Sequence, residues 1–221
     1  MKTIKFKNSN EEIQIGKVVC VGRNYADHAK EMGNEIPDKF PIVFMKTATC
    51  MINSGENVVH PDYSENLHHE VELVLLVGKT VKNANDAEAE NAIAGYAVGL
   101  DMTLRDLQFI SKEKGEPWTF AKIFDTSGVL SEFVSTEEYR LTGNEKIYLN
   151  VNDELKQDAT VGLMLFNPVE TIKNISSRMT LESGDLIFTG TPAGVSRVVK
   201  GDKLSGGIEN IGIIETTIEW F

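Results

Sequence analysis

Apolar positions in this chain gather into short runs punctuated by turn residues, and few recur at the spacing of a long amphipathic helix. Residues 2–7 and 13–21 read as strands separated by the turn-forming Asn8-Ser9-Asn10, the second ending at Gly22. Residues 25–32 (YADHAKEM) form a short helix closed by Gly33. Residues 41–45 (PIVFM) read as a buried strand and 58–61 as an extended segment. Residues 70–77 (EVELVLLV) alternate at first and are then apolar on both faces, as in a strand running from an edge into a core. A helix is predicted over 86–93 with Asp86 as its N-cap, then a strand over 96–100 ending in Asp101. Residues 103–114 carry an amphipathic pattern stopped by Gly115 and Pro117. The second half is richer in strands: 145–151, 155–158, 186–189 and 208–220, with Asn152-Asp153 as a hairpin turn and one helix over 168–177. Residues 189–194 (TGTPAG) read as a tight loop after a strand. Many strands and few short helices without βαβ alternation predict an α+β, mainly β domain. No repeat or linker divides the chain, so one domain is predicted over 1–221, with residues 1–16 as an N-terminal strand extension.

Composition narrows the function. The chain has 221 residues, and 22 Lys and Arg against 33 Asp and Glu give a net charge of −11. That balance argues against a nucleic-acid partner, because phosphate binding needs clustered cations. No apolar stretch approaches the length needed to span a bilayer, and residues 1–10 lack the core of a signal peptide. The two cysteines, Cys20 and Cys50, sit in apolar runs and read as buried free thiols in a reducing compartment. A cytoplasmic protein is the expectation.

Chemistry concentrates in a few places. On a strand, Glu70 and Glu72 point to one face, about 6.6 Å apart along the axis. In an apolar strand two such carboxylates need compensation, which a divalent cation supplies; all-oxygen donors favour Mg²⁺, Mn²⁺ or Ca²⁺ over zinc. A solvated acidic edge is the competing reading. Asp101, at the end of an apolar strand, reads either as a third ligand or as the cap of the helix after it. His28 and Glu31 are an i, i+3 pair in which the carboxylate can orient the imidazole for water activation, though such pairs are also common on solvated faces. Lys46 and Lys122 lie in apolar settings, where a lysine either snorkels outward or pairs with an anion such as a substrate carboxylate. Arg23, Arg105 and Gln108 add candidate donors. No nucleotide-binding motif, zinc-spaced cysteine pair or nucleophile elbow occurs.

Taken in order, Val21-Gly22-Arg23-Asn24-Tyr25-Ala26-Asp27-His28, Glu70-x-Glu72, Asp101-Met102-Thr103-Leu104-Arg105-Asp106-Leu107-Gln108, Pro117-Trp118-x-x-Ala121-Lys122-x-Phe124-Asp125 and Thr189-Gly190-Thr191-Pro192-Ala193-Gly194-Val195 closely resemble the fumarylacetoacetate hydrolase family. The resemblance runs from about residue 17 to the C-terminus, and the length is that of the single-domain acylpyruvase and oxaloacetate decarboxylase branch. It implies a mixed β-sandwich roll, a homodimer, and Mg²⁺ or Mn²⁺ held by Glu70, Glu72 and Asp101. It further implies a His28–Glu31 catalytic dyad on a lid, with Lys122 in the catalytic set. Arg23, Lys46, Arg105, Gln108 and Thr191 fall to binding a small 2-oxo acid. One departure is Lys46-Thr47, where the family often has Lys-Pro. The implied activity is metal-dependent hydrolysis of the C3–C4 bond of acylpyruvates, with oxaloacetate decarboxylation beside it. Isomerisation or decarboxylation of unsaturated 2-oxo dioic acids is the alternative.

Overall fold

Alternation along the longest apolar strands determines how the molecule is layered. In the computed structural model, which describes residues 2–220, Val71–Val77 is buried on both faces. Leu73 and Leu75 enter one hydrophobic cluster, Val74 and Leu76 the other. The same division splits Val19 and Val21 from Val18 and Cys20 on Val18–Gly22. A strand with two buried faces must lie centrally, and it does. An eight-stranded mixed sheet runs Ile42–Lys46, Val18–Gly22, Leu186–Phe188, Val71–Val77, Ile93–Asp101, Gly128–Leu130 and Met51–Asn53, with Val134–Ser135 beside Ile93–Asp101. A five-stranded sheet runs Glu154–Thr160, Lys146–Val151, Lys203–Ile208, Gly212–Trp220 and Val58–His60. The larger cluster joins Leu73, Val98 and Leu100 of the first sheet to Ile147, Leu149 and Ile214 of the second. The smaller packs Val18, Val74 and Phe188 under Ile4 and Ile15 of the N-terminal segment. The fold is a mainly β roll of two curled sheets with few, short helices.

Several predicted boundaries shift for identifiable reasons. The N-terminal strands shrink to Thr3–Ile4 and Ile13–Gln14, and the second prediction breaks near Gly16 before Val18–Gly22. The helix of 86–93 is capped by Asn85, not Asp86: Asn85 accepts from the Glu88 backbone N–H while the Glu88 carboxylate accepts from Asn85 N–H. The amphipathic helix starts at Arg105, because Thr103–Leu104 pairs antiparallel with Leu67–His68. The predicted strand of 208–220 begins instead at Gly212, and Ile208 ends the preceding partner strand Lys203–Ile208. Lys122 lies on a single helical turn, Thr119–Lys122.

Candidate active site

The sheet register builds the acidic centre. Val71 pairs with Leu100 and Glu72 with Gly99 across adjacent antiparallel strands. Glu70, immediately before one strand, and Asp101, closing the other, therefore meet beside Glu72. All three are buried, and one oxygen from each lies within 4.8 Å of the others. Asp101 caps no helix; the residue preceding the helix is Leu104, whose side chain makes no cap.

Three cations answer these carboxylates unevenly. Lys122 Nζ donates to Glu70 Oε2 at 2.8 Å, Asp101 Oδ2 at 2.7 Å and Thr103 Oγ1 at 2.6 Å. Arg105 Nη2 donates to Glu70 Oε1 at 2.5 Å and Nη1 to Gln108 Oε1 at 2.6 Å. Lys46, 1% exposed, places Nζ 3.0 Å from Asp101 Oδ1 and also donates to the backbone carbonyls of Met102 and Lys122. Among the described residues Glu72 receives only the Gly190 N–H, at 2.7 Å. Gly190 holds φ 96°, a left-handed conformation that costs glycine little. The electrostatics follow this division. Burial would raise the Glu70 carboxyl, but Lys122 and Arg105 outweigh it and hold the group well below the usual range. Burial pushes Glu72 well above that range, with the Asp101 and Glu70 charges adding to it. Burial lowers Lys122, yet Asp101 and Glu70 prevail and raise it. A buried carboxylate without a cation beside two others is what a divalent ion would correct, and an all-oxygen donor set suits Mg²⁺ or Mn²⁺. The residues present therefore fit such an ion.

The helix Ala26–Glu31 sets His28 over the cleft, with Nδ1 3.2 Å from Glu31 Oε2. Burial lowers the His28 pKa despite the Glu70 and Glu31 charges, so the ring is neutral at pH 7. Gly194 N–H donates to both Glu31 oxygens, at 3.0 and 3.2 Å, tying the helix to the loop after Leu186–Phe188. Gly194 sits at φ 101°, and a Cβ there would lie 1.9 Å from the Lys156 carbonyl oxygen.

A small open cleft joins these groups; Arg23, His28, Glu70, Glu72, Arg105, Gln108, Lys122 and Thr191 all line it. Asp101, Lys46 and Glu31 do not: the fully buried Asp101 lies beside Glu70 and Glu72, Lys46 pairs with Asp101, and Glu31 reaches the cleft only through His28. Sequence reasoning missed Gln157, a fully buried side chain from the hairpin strand Glu154–Thr160. Its Oε1 lies 3.0 Å from His69 Nδ1 and accepts from Val71 N–H at 3.1 Å, while Nε2 donates to Thr191 Oγ1 at 2.7 Å. It thus joins the strand that carries Glu72 to the Thr191 loop. The one available signal was parity, a polar side chain facing inward on a strand with exposed neighbours.

Fold and site together define a class: β-roll enzymes that gather carboxylates, lysine and arginine in a cleft beneath a short helix, with an acidic set that fits a divalent ion. The chain belongs to the fumarylacetoacetate hydrolase family, whose C-terminal domain model matches residues 17–219. It is 43% identical over 202 residues, 91% of each chain, to the oxaloacetate tautomerase FAHD1, mitochondrial, of Bos taurus. Among solved structures, the fumarylpyruvate hydrolase of Pseudomonas aeruginosa in complex with Mn²⁺ and pyruvate matches with TM-score 0.96 and 33% identity, covering 100% of this chain and 96% of that one. The 2-hydroxyhepta-2,4-diene-1,7-dioate isomerase of Mycobacterium marinum matches at 0.82 and 33%, covering 94% and 76%.

Proposed function

We propose that this protein hydrolyses the C3–C4 bond of acylpyruvates to pyruvate and a carboxylic acid, and cleaves the same bond of oxaloacetate to release CO₂. The observation that carries the reading is a neutral His28, oriented by Glu31, opening onto the cleft lined by Glu70 and Glu72, with Asp101 beside them. Arg105, Gln108 and Lys122 orient the 2-oxo acid end within reach of the carboxylate cluster. Glu70, Glu72 and Asp101 would hold a divalent cation, Mg²⁺ or Mn²⁺, which would supply Lewis-acid stabilisation of developing negative charge. His28 accepts a proton from the water that attacks the C4 carbonyl. The C3–C4 bond then breaks, its electron pair leaves with the pyruvate fragment, and that fragment is protonated at C3. Oxaloacetate already carries a carboxylate at C4 and needs no water.

Ultraviolet loss of acetylpyruvate, with and without Mg²⁺ or Mn²⁺, tests this on wild type and Glu70→Ala. Metal-dependent loss that disappears in the variant is expected; wild type inert with both metals would overturn the reading. The relatives named oxaloacetate tautomerase favour a second use of the site, in which His28 carries a proton between C3 and the 2-oxo oxygen. Enol-to-keto conversion of oxaloacetate that is unchanged in His28→Ala would remove that use. A homodimer belongs to the same proposal. It is supported by outward-facing Val43 and Met45 on the edge strand Ile42–Lys46 and by Phe120, 78% exposed, on the helical turn packed against it. Sedimentation as a monomer at micromolar concentration would refute it. The buried free cysteines support a reducing compartment, the cytoplasm in this reading.

A further inference from the structure

One buried side chain connects the two halves of the site without lining the cleft. Asn24 follows the strand Val18–Gly22 and precedes Tyr25, the N-cap of the helix that carries His28 and Glu31. Its Nδ2 donates to the carbonyls of Thr189 at 2.7 Å and Phe166 at 2.9 Å, and its Oδ1 accepts from Phe166 N–H at 2.7 Å. Carbonyls face the nitrogen and an N–H faces the oxygen, so these partners fix the orientation of the amide and occupy both of its donors. The Asn24 carbonyl in turn accepts from Leu165 N–H at 2.7 Å. The Thr189 contact reaches furthest. The Thr189 carbonyl and the Gly190 N–H belong to one planar trans peptide and point in opposite directions. Whatever grips the carbonyl therefore aims the N–H, and among the described residues that N–H is the one donor to Glu72. Such a peptide needs a restraint, because Gly190, at φ 96°, has no Cβ to hold its backbone in one conformation. Glycine is also what lets the two residues close on each other: a Cβ at Gly190 would lie 2.7 Å from the Asn24 Cβ.

We propose that Asn24 is a positioning residue of the acidic centre. By holding the Thr189–Gly190 peptide it sets the Glu72 carboxylate for an ion, and by its place in the chain it registers that carboxylate against the helix bearing His28. This role rests on the reading of the cleft as a metal-dependent hydrolase site and adds the residue that joins its halves. Asn24 does not line the cleft, so it acts through Gly190 and the start of the helix. Losing a partner that orients a metal-binding group costs about 10- to 100-fold in metal affinity or activity.

The test measures Mn²⁺ binding to the substrate-free protein by water-proton relaxation, beside kcat for acetylpyruvate at saturating Mn²⁺. Asn24→Ala should weaken Mn²⁺ binding about tenfold or more and lower kcat about tenfold. Thr171→Val is the control, because the buried Thr171 hydroxyl also donates to the Phe166 carbonyl, at 3.1 Å, and makes no bond to Thr189 among the described residues. It should lower Tm while the Mn²⁺ Kd and kcat stay within about twofold of wild type. If Asn24 only anchors the Phe166 segment, Asn24→Ala behaves as Thr171→Val does, with a lower Tm and unchanged Mn²⁺ binding, and the proposal is overturned. A wild type that binds Mn²⁺ but leaves acetylpyruvate intact overturns the hydrolase reading, and the Kd comparison still decides the role of Asn24; a wild type that binds no Mn²⁺ overturns both. Should Asn24→Ala fail to fold, Asn24→Asp keeps the shape and the bond from Phe166 N–H. A carboxylate there offers Thr189 no donor and adds a negative charge that alone would tighten a cation. Weaker Mn²⁺ binding in that variant supports the proposal, and equal or tighter binding overturns it.

Discussion

Lys46→Met separates support of the acidic centre from contact with substrate. Lys46 is fully enclosed, its Nζ 3.0 Å from Asp101 Oδ1 and bonded to the Met102 carbonyl at 3.2 Å. Methionine matches its length and apolar stem but removes the charge, so Asp101 keeps only Lys122, which it shares with Glu70. Removing one partner of a buried pair costs about 3–5 kcal/mol, because the remaining charge is left uncompensated. For a chain of this length that lowers Tm by roughly 10 °C. A divalent ion should repair part of the loss. Wild type gains about 2.7 kcal/mol at 100 times the Kd of the ion, and the variant, with one more unanswered carboxylate, should gain more. Urea unfolding of both proteins in EDTA and in saturating Mg²⁺ measures each quantity. If Lys46 instead grips substrate, the variant unfolds within about 1 kcal/mol of wild type, gains no more from Mg²⁺, and shows only a raised KM; that pattern would refute the reasoning.

Three further outcomes follow from individual contacts. Glu145 accepts from the Tyr139 hydroxyl, from Thr142 N–H and hydroxyl, and from Gly143 N–H; these bonds outweigh burial and bring its carboxyl down from 4.5 to about 2. Its contribution is present above pH 4.5 and lost as pH falls toward 2, so Glu145→Gln should cost about 2–3 kcal/mol at pH 7 and little near pH 2, read by urea melts across pH. Burial lowers the His28 pKa, so the ring remains neutral down through 6.5 and the acid limb of kcat/KM for acetylpyruvate should fall below that value; a limb above 6.5 would count against His28 as the base. Gly194→Ala, strained at φ 101° and blocked by the Lys156 carbonyl, should cost about 1–3 kcal/mol in a thermal melt. It should also lower kcat by releasing Glu31.

Much of the acidic centre was legible because carboxylates are conspicuous in apolar strands: Glu70, Glu72 and Asp101 interrupt runs of valine and leucine, and His28 with Glu31 has helical spacing. The contacts that divide labour among the cations were not. Lys46 and Lys122 looked alike in sequence, yet one lies behind Asp101 and the other bridges Glu70 and Asp101, a distinction created by tertiary neighbours 55 and 21 residues from Asp101 in the chain. The strand Lys203–Ile208 (KLSGGI) escaped notice because Gly206 and Gly207 break the apolar alternation. A Cβ at Gly206 would lie 2.5 Å from the Tyr148 carbonyl oxygen, so the packing that requires glycine also erases the pattern. The capping error at Asp86 is local, since Asn85 and Asp86 both suit a cap and only the position of Glu88 completes the box on Asn85.

The uneven charge pairing has a functional logic. Had each of the three carboxylates its own lysine or arginine, the centre would be satisfied without an ion and would gain little by binding one. Among the described residues Glu72 instead receives a single backbone N–H, while the Lys122 ammonium is divided between Glu70 and Asp101. The centre is therefore held together by protein cations yet left short of positive charge at Glu72. That shortfall suits a divalent ion better than a further lysine, because the ion brings two charges and several oxygen-binding positions where an ammonium brings one charge. Gln157 joins His69 and Val71, on the segment that carries Glu70 and Glu72, to Thr191 across the cleft, which braces the carboxylates through protein hydrogen bonds. Gln157→Leu should then loosen the site and raise KM, whereas Glu72→Gln should leave the fold in place and weaken the ion.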